Sequence, residues 1–152
     1  MVPYEVFGQL ILAVILGSVI GFERRLAHKN AGVRTFAMVS LGAALFTIIS
    51  GLMYTQFGAS SAFDPGRIAS QVVVGIGFLA GGMIIFNHQK LEGLTTSAGL
   101  WVAGGIGMAV GLRFYAIAIF TAILILIIFE FFQAIEHRLI DGSSHDGNEH
   151  DH

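Results

Sequence analysis

Five long apolar stretches, separated by short polar gaps that hold nearly every charge, constrain the fold of this chain more than any other feature. The stretches cover residues 6–22, 36–54, 68–86, 94–112 and 114–132. At a rise of about 1.5 Å per residue, about 17 to 20 residues cross a hydrocarbon layer about 30 Å thick. Because lipid offers the backbone no hydrogen-bond partner, each stretch must be helical. The predicted fold class is therefore all-α, a polytopic bundle of five transmembrane helices over residues 1–135.

Composition agrees with a membrane protein and narrows its chemistry. Hydrophobic residues make up 55% of the chain and charged residues 12%, whereas soluble domains carry about a quarter charged residues. The net charge of −2, and the lack of a basic face beyond one short loop, argue against a nucleic-acid partner. Without cysteine the chain can form neither disulfides nor thiolate metal sites.

The distribution of Lys and Arg predicts the orientation in the membrane. These residues concentrate in the first gap, the third gap and the tail, at Arg24, Arg25, Lys29, Arg34, Lys90 and Arg138. The other two gaps hold only Arg67 and Arg113. The positive-inside rule therefore places the N-terminus outside and the C-terminus in the cytoplasm. The chain starts without a basic signal region or a cleavage pattern, so we expect the first span to be retained.

Glycine placement predicts which helices pack closely. Most of the twenty glycines fall in the first four spans, where each costs about 1 kcal/mol relative to Ala unless helix backbones approach one another. Three pairs have the small-xxx-small spacing: Gly17 with Gly21, Gly77 with Gly81, and Gly107 with Gly111. Packing within one subunit is the favoured interpretation, and a dimer seam or a backbone-lined cavity stays open. The fifth helix, without glycine, is predicted to be peripheral. The very short fourth gap leaves a re-entrant fourth segment open.

Polar side chains near the middle of the spans are uncharged. One face of the second span carries Ser40, Thr47 and Ser50, and Gln71 belongs to a similar face of the third. Hydrogen bonds between such faces average about 0.6 kcal/mol, so they orient helices more than they stabilise them. The middle of each span lacks Asp, Glu, Lys, Arg and His, which argues against an ion pump or a proton-coupled carrier. We predict no cofactor and no metal site, and any ion path would use backbone carbonyls and hydroxyls.

The charged gap after the first span holds a candidate ion pair. Arg34 lies at the start of the second helix, where the helix dipole disfavours a cation, so we expect an acidic neighbour. The loop is short enough for Glu23 to pair with Arg34 and hold the first two helices together. The alternative is that both are solvated, with the arginines serving topology and lipid phosphates.

Two helix starts carry further polar candidates. At the predicted outer surface, Asp64 indicates an N-cap, and Arg67 and Gln71 follow on the same helical face as a polar entrance. On the opposite side, hydroxyl residues open the fourth helix: Thr95, Thr96 and Ser97. Free amides and hydroxyls there can hold an anion or a partner carbonyl. Helix capping alone is the simpler interpretation of both sets.

Four sequence blocks, in order and spacing, resemble the MgtC/SapB family of bacterial inner-membrane proteins. The blocks are GFERR, NAGVRTFAMVSLGAALF, DPGRIASQVVVGIGFLAGGMII and GLTTSAGLWVAGGIGMAVG, and the similarity covers about residues 5–130. The resemblance implies five membrane helices and a cytoplasmic C-terminus, which agrees with the topology above. It also implies the bacterial inner membrane as the location.

The resemblance further implies functions and functional positions. MgtC members are associated with growth at low magnesium, survival inside macrophages and inhibition of the F-type ATP synthase, and other members with acid resistance. The positions carried over are Glu23, Arg24, Arg25, Arg34, Thr35, Asp64, Arg67, Gln71, Thr95, Thr96 and Trp101. Longer relatives continue into a soluble domain, so we expect a short form here. Its tail, residues 136–152, is expected to be acidic, His-containing and disordered, with weak binding of a transition metal by its His and carboxylate side chains as the alternative.

Two function classes follow. The first is a non-enzymatic regulator that docks by its helices onto another membrane complex, an ion-motive ATPase being one candidate partner. The second is a small oligomeric channel or carrier for Mg²⁺, another ion or a small solute. The absence of buried charge favours the regulator, and the polar faces keep the channel open. A homodimer is a further expected assembly, and an enzyme is the least favoured class.

Overall fold

The structure, a computed structural model, describes residues 3–57, 64, 66–87 and 90–143. Five helices lie in this part of the chain: α1 Pro3–Leu26, α2 Val33–Phe57, α3 Gly66–Gly81, α4 Leu94–Gly111 and α5 Tyr115–Ser143. Between α3 and α4 lies an antiparallel hairpin of β1 Ile85–Asn87 and β2 Lys90–Glu92. The predicted helical membrane bundle is confirmed, because α1, α2, α4 and α5 are each long and apolar enough to cross a membrane.

The third apolar stretch differs from its prediction, because α3 ends at Gly81 instead of continuing to residue 86. A turn follows, in which the N–H of Ile84 donates to the Gly81 carbonyl at 3.1 Å, and the next residues form β1. The successive Gly81 and Gly82 make continuation of the helix costly, by about 1 kcal/mol each relative to Ala. With 16 residues, α3 is about 24 Å long. This length is short of the hydrocarbon layer, so the crossing predicted for α3 requires flanking residues or local thinning to compensate.

Helix α4 is the centre of the bundle and contacts each of the other four helices. Its 18 residues suffice to cross the membrane, so the structure favours a full span over the re-entrant alternative. Its side chains Leu100, Ile106 and Val110 are almost completely buried and join the hydrophobic core with Ile20 of α1 and Phe36 of α2.

Helix α5 packs on the edge of the bundle, as predicted. Its buried side chains repeat at helical spacing along one face: Ala118, Ala122, Ile125 and Phe129. Most of the large side chains around that face are exposed. The helix continues to Ser143, so the first part of the segment expected to be a disordered tail is helical. Residues 144–152 lie outside the described residues.

Glycines bring α1, α2 and α4 into backbone contact. A Cβ atom at Gly17 would lie 2.6 Å from the carbonyl oxygen of Phe36, and Gly107 lies directly against the carbonyl of Ser40. The second glycine of each pair is similarly confined: Gly21 and Gly111. These four positions therefore pack helices within one chain, as the spacing predicts.

The third glycine pair behaves differently. A Cβ atom at Gly77 or Gly81 would meet no atom within 4 Å. The pair lies on an exposed face of α3 with Val74 and Phe78, which are 65% and 82% exposed. We call these four residues the open face of α3. Packing within the chain, expected for this pair, does not occur because neither α2 nor α4 covers this side of α3.

Two helices end in left-handed turns made without glycine. His28 follows α1 with a φ of 55°, and the N–H of Lys29 donates to the Arg24 carbonyl at 3.0 Å. Arg113 follows α4 with a φ of 66° in a similar arrangement. Both ends match the Schellman motif, whose left-handed position is usually glycine.

Candidate functional site

A buried ion pair lies at the C-terminal end of α1. Arg24 is 2% exposed and Glu23 8% exposed, and the guanidinium donates through Nε and Nη2 to the two carboxylate oxygens of Glu23. The guanidinium carbon also lies 3.4 Å from the ring centroid of Phe129 in α5, within cation–π range. The bidentate geometry compensates two charges whose isolated burial would cost several kcal/mol each. Arg24 thereby ties α1 to α5.

An open pocket, which we call the basic pocket, also lies at this end of α1. It encloses about 590 Å³ and is lined by Arg25, Gly32, Val33, Arg34 and Thr35. Arg25 and Arg34 are exposed, and neither forms an ion pair with a described residue. The predicted Glu23–Arg34 pair is therefore wrong. Glu23 pairs with Arg24 on its own helix, because the buried guanidinium needs a counter-charge and the exposed Arg34 does not.

A second cavity, which we call the α2/α3 groove, lies between α2 and α3 and opens on the lateral surface of the bundle. It encloses about 630 Å³ and is lined by Thr35, Met38, Val39, Gly42, Ala43, Phe46, Ile68, Gln71, Val72, Gly75, Ile76 and Leu79. Thr35 and Gln71 are the polar members of an otherwise apolar lining. Thr35 also lines the basic pocket, so the two cavities are adjacent.

The candidates at the predicted outer end occupy separate positions around the start of α3. Asp64 Oδ1 accepts a hydrogen bond from the N–H of Gly66 at 2.8 Å, which is the capping role predicted for it. Arg67 and Gln71 are both exposed on α3. Gln71 lines the α2/α3 groove, whereas Arg67 does not. The polar entrance predicted from Arg67 and Gln71 is therefore not formed as a pair, because only the Gln71 amide lines the groove.

The candidates on α4 do not join these cavities. Thr95 is exposed and Thr96 is buried, but no side chain caps the helix, whose N-cap is Gly93 with a φ of 89°. Trp101 is 52% exposed on the outside of the bundle. None of these residues lines the basic pocket or the α2/α3 groove.

A polar contact that was not predicted from the sequence joins α1 to the C-terminal end of α4. Gln9 is 1% exposed, and its Nε2 donates to the carbonyls of Val110 at 2.8 Å and Gly111 at 3.1 Å. These carbonyls belong to the last turn of α4, where the regular helical donors run out, although the Val110 carbonyl also accepts the N–H of Arg113 at 3.0 Å. One turn earlier on α1, Glu5 pairs with Arg113 at 2.6 Å. The signal in the sequence was a single amide within the first apolar stretch.

Some polar side-chain atoms inside the bundle have no hydrogen-bond partner among the described residues. Gln9 Oε1, Ser40 Oγ and Ser97 Oγ are buried and have no hydrogen-bond partner among the described residues. The same part of the chain contains no group of three or more His, Asp or Glu placed to hold a metal ion. Mg²⁺ and Ca²⁺ require several oxygen ligands, usually including carboxylates. None of the three buried atoms belongs to a carboxylate.

Comparison with known proteins points to one family. The sequence profile described as the MgtC family matches residues 10–138. The chain is 38% identical over 139 residues to a protein of Escherichia coli K12 named putative magnesium transporter YhiD. This match covers 90% of the chain and 65% of the Escherichia coli protein. It is 42% identical over 126 residues to protein MgtC of Salmonella typhimurium. This second match covers 83% of the chain and 51% of the Salmonella protein.

These matches cover the helical part of the chain, from within α1 into α5. The chain spans between about half and two thirds of the length of these relatives. No solved structure matches it.

Proposed function

Because the chain belongs to the MgtC family, we propose that it is a multi-pass protein of a bacterial cytoplasmic membrane and a non-enzymatic regulator in magnesium homeostasis. It acts by docking through its helices onto another membrane complex. The names of its relatives, protein MgtC and putative magnesium transporter YhiD, support the link to magnesium. The chain spans only part of those relatives, so their names support the link without specifying the mechanism.

The open face of α3 is the observation that carries the docking mechanism. In lipid, the small-xxx-small spacing lets two helix backbones approach closely. The pairs on α1 and α4 are already occupied by neighbouring helices, whereas Gly77 and Gly81 face open space. Helix α3 is also the shortest of the five described helices. These features support contact between α3 and a membrane helix of another protein or of a second copy.

The packed interior supports regulation over transport. The backbones of α1, α2 and α4 touch at Gly17 and Gly107, which leaves little space between these helices. The side chains along the middle of the spans carry no charge. Because Mg²⁺ gives up its waters reluctantly and favours carboxylate ligands, passage through a single copy would be strongly unfavourable.

A small oligomeric channel or carrier is the second candidate. The name of the Escherichia coli relative favours it, and so do the buried hydroxyls of Ser40 and Ser97, which have no partner among the described residues. An assembly of several copies could join such groups with Gln71 into a polar path. The regulator is preferred because that path requires rearrangement of a core in which these hydroxyls are enclosed.

Reconstitution of the purified full-length chain into liposomes separates the two candidates. Entry of Mg²⁺, protons and monovalent cations is followed with encapsulated indicators. For the regulator, ion entry is expected to equal that of protein-free liposomes. Flux that depends on the protein and is lost in Gln71→Ala would reject the regulator and support the channel.

Growth at low magnesium tests the docking face. The chain is expressed in a bacterial strain that lacks its own family members. Growth supported by the wild type is expected to be lost in Gly77→Leu and kept in Gly105→Leu. Gly105 is a matched control, because a Cβ atom there also meets no atom within 4 Å but the residue lies on α4. Equal growth of the two variants would reject the open face of α3 as the docking surface.

A further inference from the structure

We propose that the α2/α3 groove and the basic pocket together bind one anionic phospholipid. An acyl chain lies in the groove, and the headgroup phosphate contacts Arg25 and Arg34. Neither the open face of α3 nor family membership enters this assignment, so it stands or falls separately from the proposed function.

The groove has the size and lining of an acyl-chain site. Its volume of about 630 Å³ lies within the range of about 300–1,000 Å³ usual for small-molecule sites. Apart from one residue at each end, the lining is apolar. Gly42 and Gly75 keep it open, since a Cβ atom at either position would meet no atom within 4 Å. A flexible apolar chain can fill such a space without leaving a polar group unpaired.

The basic pocket has the charge and geometry of a phosphate site. Arg25 and Arg34 face it without an acidic partner among the described residues. The stem of Arg25 lies against the loop at Gly32, where a Cβ atom would be in ordinary contact with Arg25 Cδ, at 3.5 Å. Arginine suits this role, because its planar fork donates two parallel hydrogen bonds to phosphate oxygens.

The placement of the two cavities selects a phospholipid over other occupants. They share Thr35, so one molecule can occupy both, with its headgroup charge at the start of α2 and its acyl chain along the bundle. The positive-inside rule assigns that end to the cytoplasmic leaflet, where anionic lipids attract basic residues. An apolar helix from a second copy or a partner would fill the groove but leave both arginines without a counter-charge.

Native mass spectrometry of the purified full-length chain measures lipid retention directly. Phosphatidylglycerol and phosphatidylcholine with identical acyl chains are compared at equal concentration, and phosphatidylglycerol is expected to bind more tightly. Each of Arg25→Gln and Arg34→Gln is expected to weaken its binding about fivefold, and the double variant should bind both lipids alike. Arg67→Gln, which removes an exposed arginine at the predicted outer end, is the control expected to bind as wild type does.

Leucine substitutions test the groove independently of charge. Gly42→Leu is expected to lower retention of both lipids at least tenfold, because the new side chain occupies the acyl-chain space. Gly51→Leu is the matched control on the same helix, since a Cβ atom there also meets no atom within 4 Å and the residue lies outside the groove. Circular dichroism and thermal melting identify any variant that fails to fold.

Three outcomes would overturn the assignment. The first is equal retention of the two lipids by the wild type. The second is complete displacement of phosphatidylglycerol by inorganic phosphate with no effect of Gly42→Leu, which would indicate a phosphate site without a lipid chain. The third is a Gly42→Leu variant that keeps its lipid but loses self-association, which would assign the groove to a second copy.

Discussion

Gly107 of α4 lies directly against the backbone carbonyl of Ser40 in α2, and no room remains between them for a Cβ atom. The nearest atoms are backbone, so they cannot rotate away as a side chain could. We expect Gly107→Ala to separate the two helices and to lower the free energy of unfolding by about 1–3 kcal/mol, the usual cost of overpacking. The decrease is measured as a lower melting temperature of the purified protein in detergent.

Gly105→Ala is the control for this prediction. Gly105 lies on the same helix, but a Cβ atom there would meet no atom within 4 Å. Because Ala is the better helix former, its melting temperature is expected to be unchanged or slightly raised. Equal melting of the two variants would contradict close contact between α4 and α2.

The second prediction concerns the contribution of the buried Glu23–Arg24 pair to stability. Glu23→Gln leaves the Arg24 guanidinium buried without its carboxylate, and loss of one partner of a buried pair costs about 3–5 kcal/mol. Thermal melting is expected to show a large decrease for Glu23→Gln and little change for Arg25→Gln, because Arg25 is exposed.

A double variant sharpens this test. Replacing both partners, with Glu23→Gln and Arg24→Met together, removes the uncompensated charge. We expect it to melt above Glu23→Gln alone. A double variant less stable than the single one would show that Arg24 is held mainly by the Phe129 ring.

The number and positions of the helices could be predicted from the sequence because lipid imposes one simple requirement, about 20 apolar residues in a self-satisfied helix. The residue at which α3 ends could not be predicted in this way. Hydropathy does not distinguish an apolar helix from an apolar strand, so the residues of β1 looked like a continuation of the third span. Only Gly81 and Gly82 marked the boundary, and glycine is frequent throughout the first four spans.

The candidate site shows a similar division. The arginines around the α1–α2 loop were visible as a group, but the choice of Arg34 as the partner of Glu23 relied on the helix dipole alone. Glu23 instead pairs with Arg24, because Arg24 is almost fully buried and a buried charge needs a carboxylate partner more than an exposed one does. The role of Phe129 could not be foreseen, since sequence alone does not show how α5 is rotated against α1.

Gln9 supports a third prediction, which compares two contacts between α1 and the end of α4. Gln9→Leu removes the amide donor to both carbonyls. The Val110 carbonyl keeps the N–H of Arg113, whereas the buried Gly111 carbonyl loses the Gln9 amide, and leaving such a group unsatisfied costs about 1–3 kcal/mol. Arg113→Gln removes an ion pair with Glu5 whose side chains are 46% and 50% exposed, and exposed pairs contribute about 0–1 kcal/mol. Gln9→Leu is therefore expected to melt at the lower temperature, and the reverse order would contradict this ranking.

Gly93 supports a fourth prediction about the connection between the hairpin and α4. Its φ of 89° lies in the left-handed region, and a Cβ atom there would overlap the carbonyl of Met83. Strain and overlap together are expected to make Gly93→Ala less stable by at least about 1–2 kcal/mol. Gly82→Ala is the control in the preceding turn, because its Cβ atom would lie 3.4 Å from its nearest neighbour. Similar melting temperatures for both would argue against the turn at Gly93.

The orientation of the bundle supports a fifth prediction, and the absence of cysteine from the chain makes it simple to test. Four of the eight Lys and Arg residues lie in or beside the α1–α2 loop, so this loop is expected in the cytoplasm, and Asp64 is expected outside. A membrane-impermeant maleimide should label Asp64→Cys in intact cells and Lys29→Cys only after the membrane is opened. Ala103→Cys, at a position with 0% exposure, is the control that should remain unlabelled. Labelling of Lys29→Cys in intact cells would invert the bundle and place Arg25 and Arg34 at the outer leaflet, because both flank the same loop.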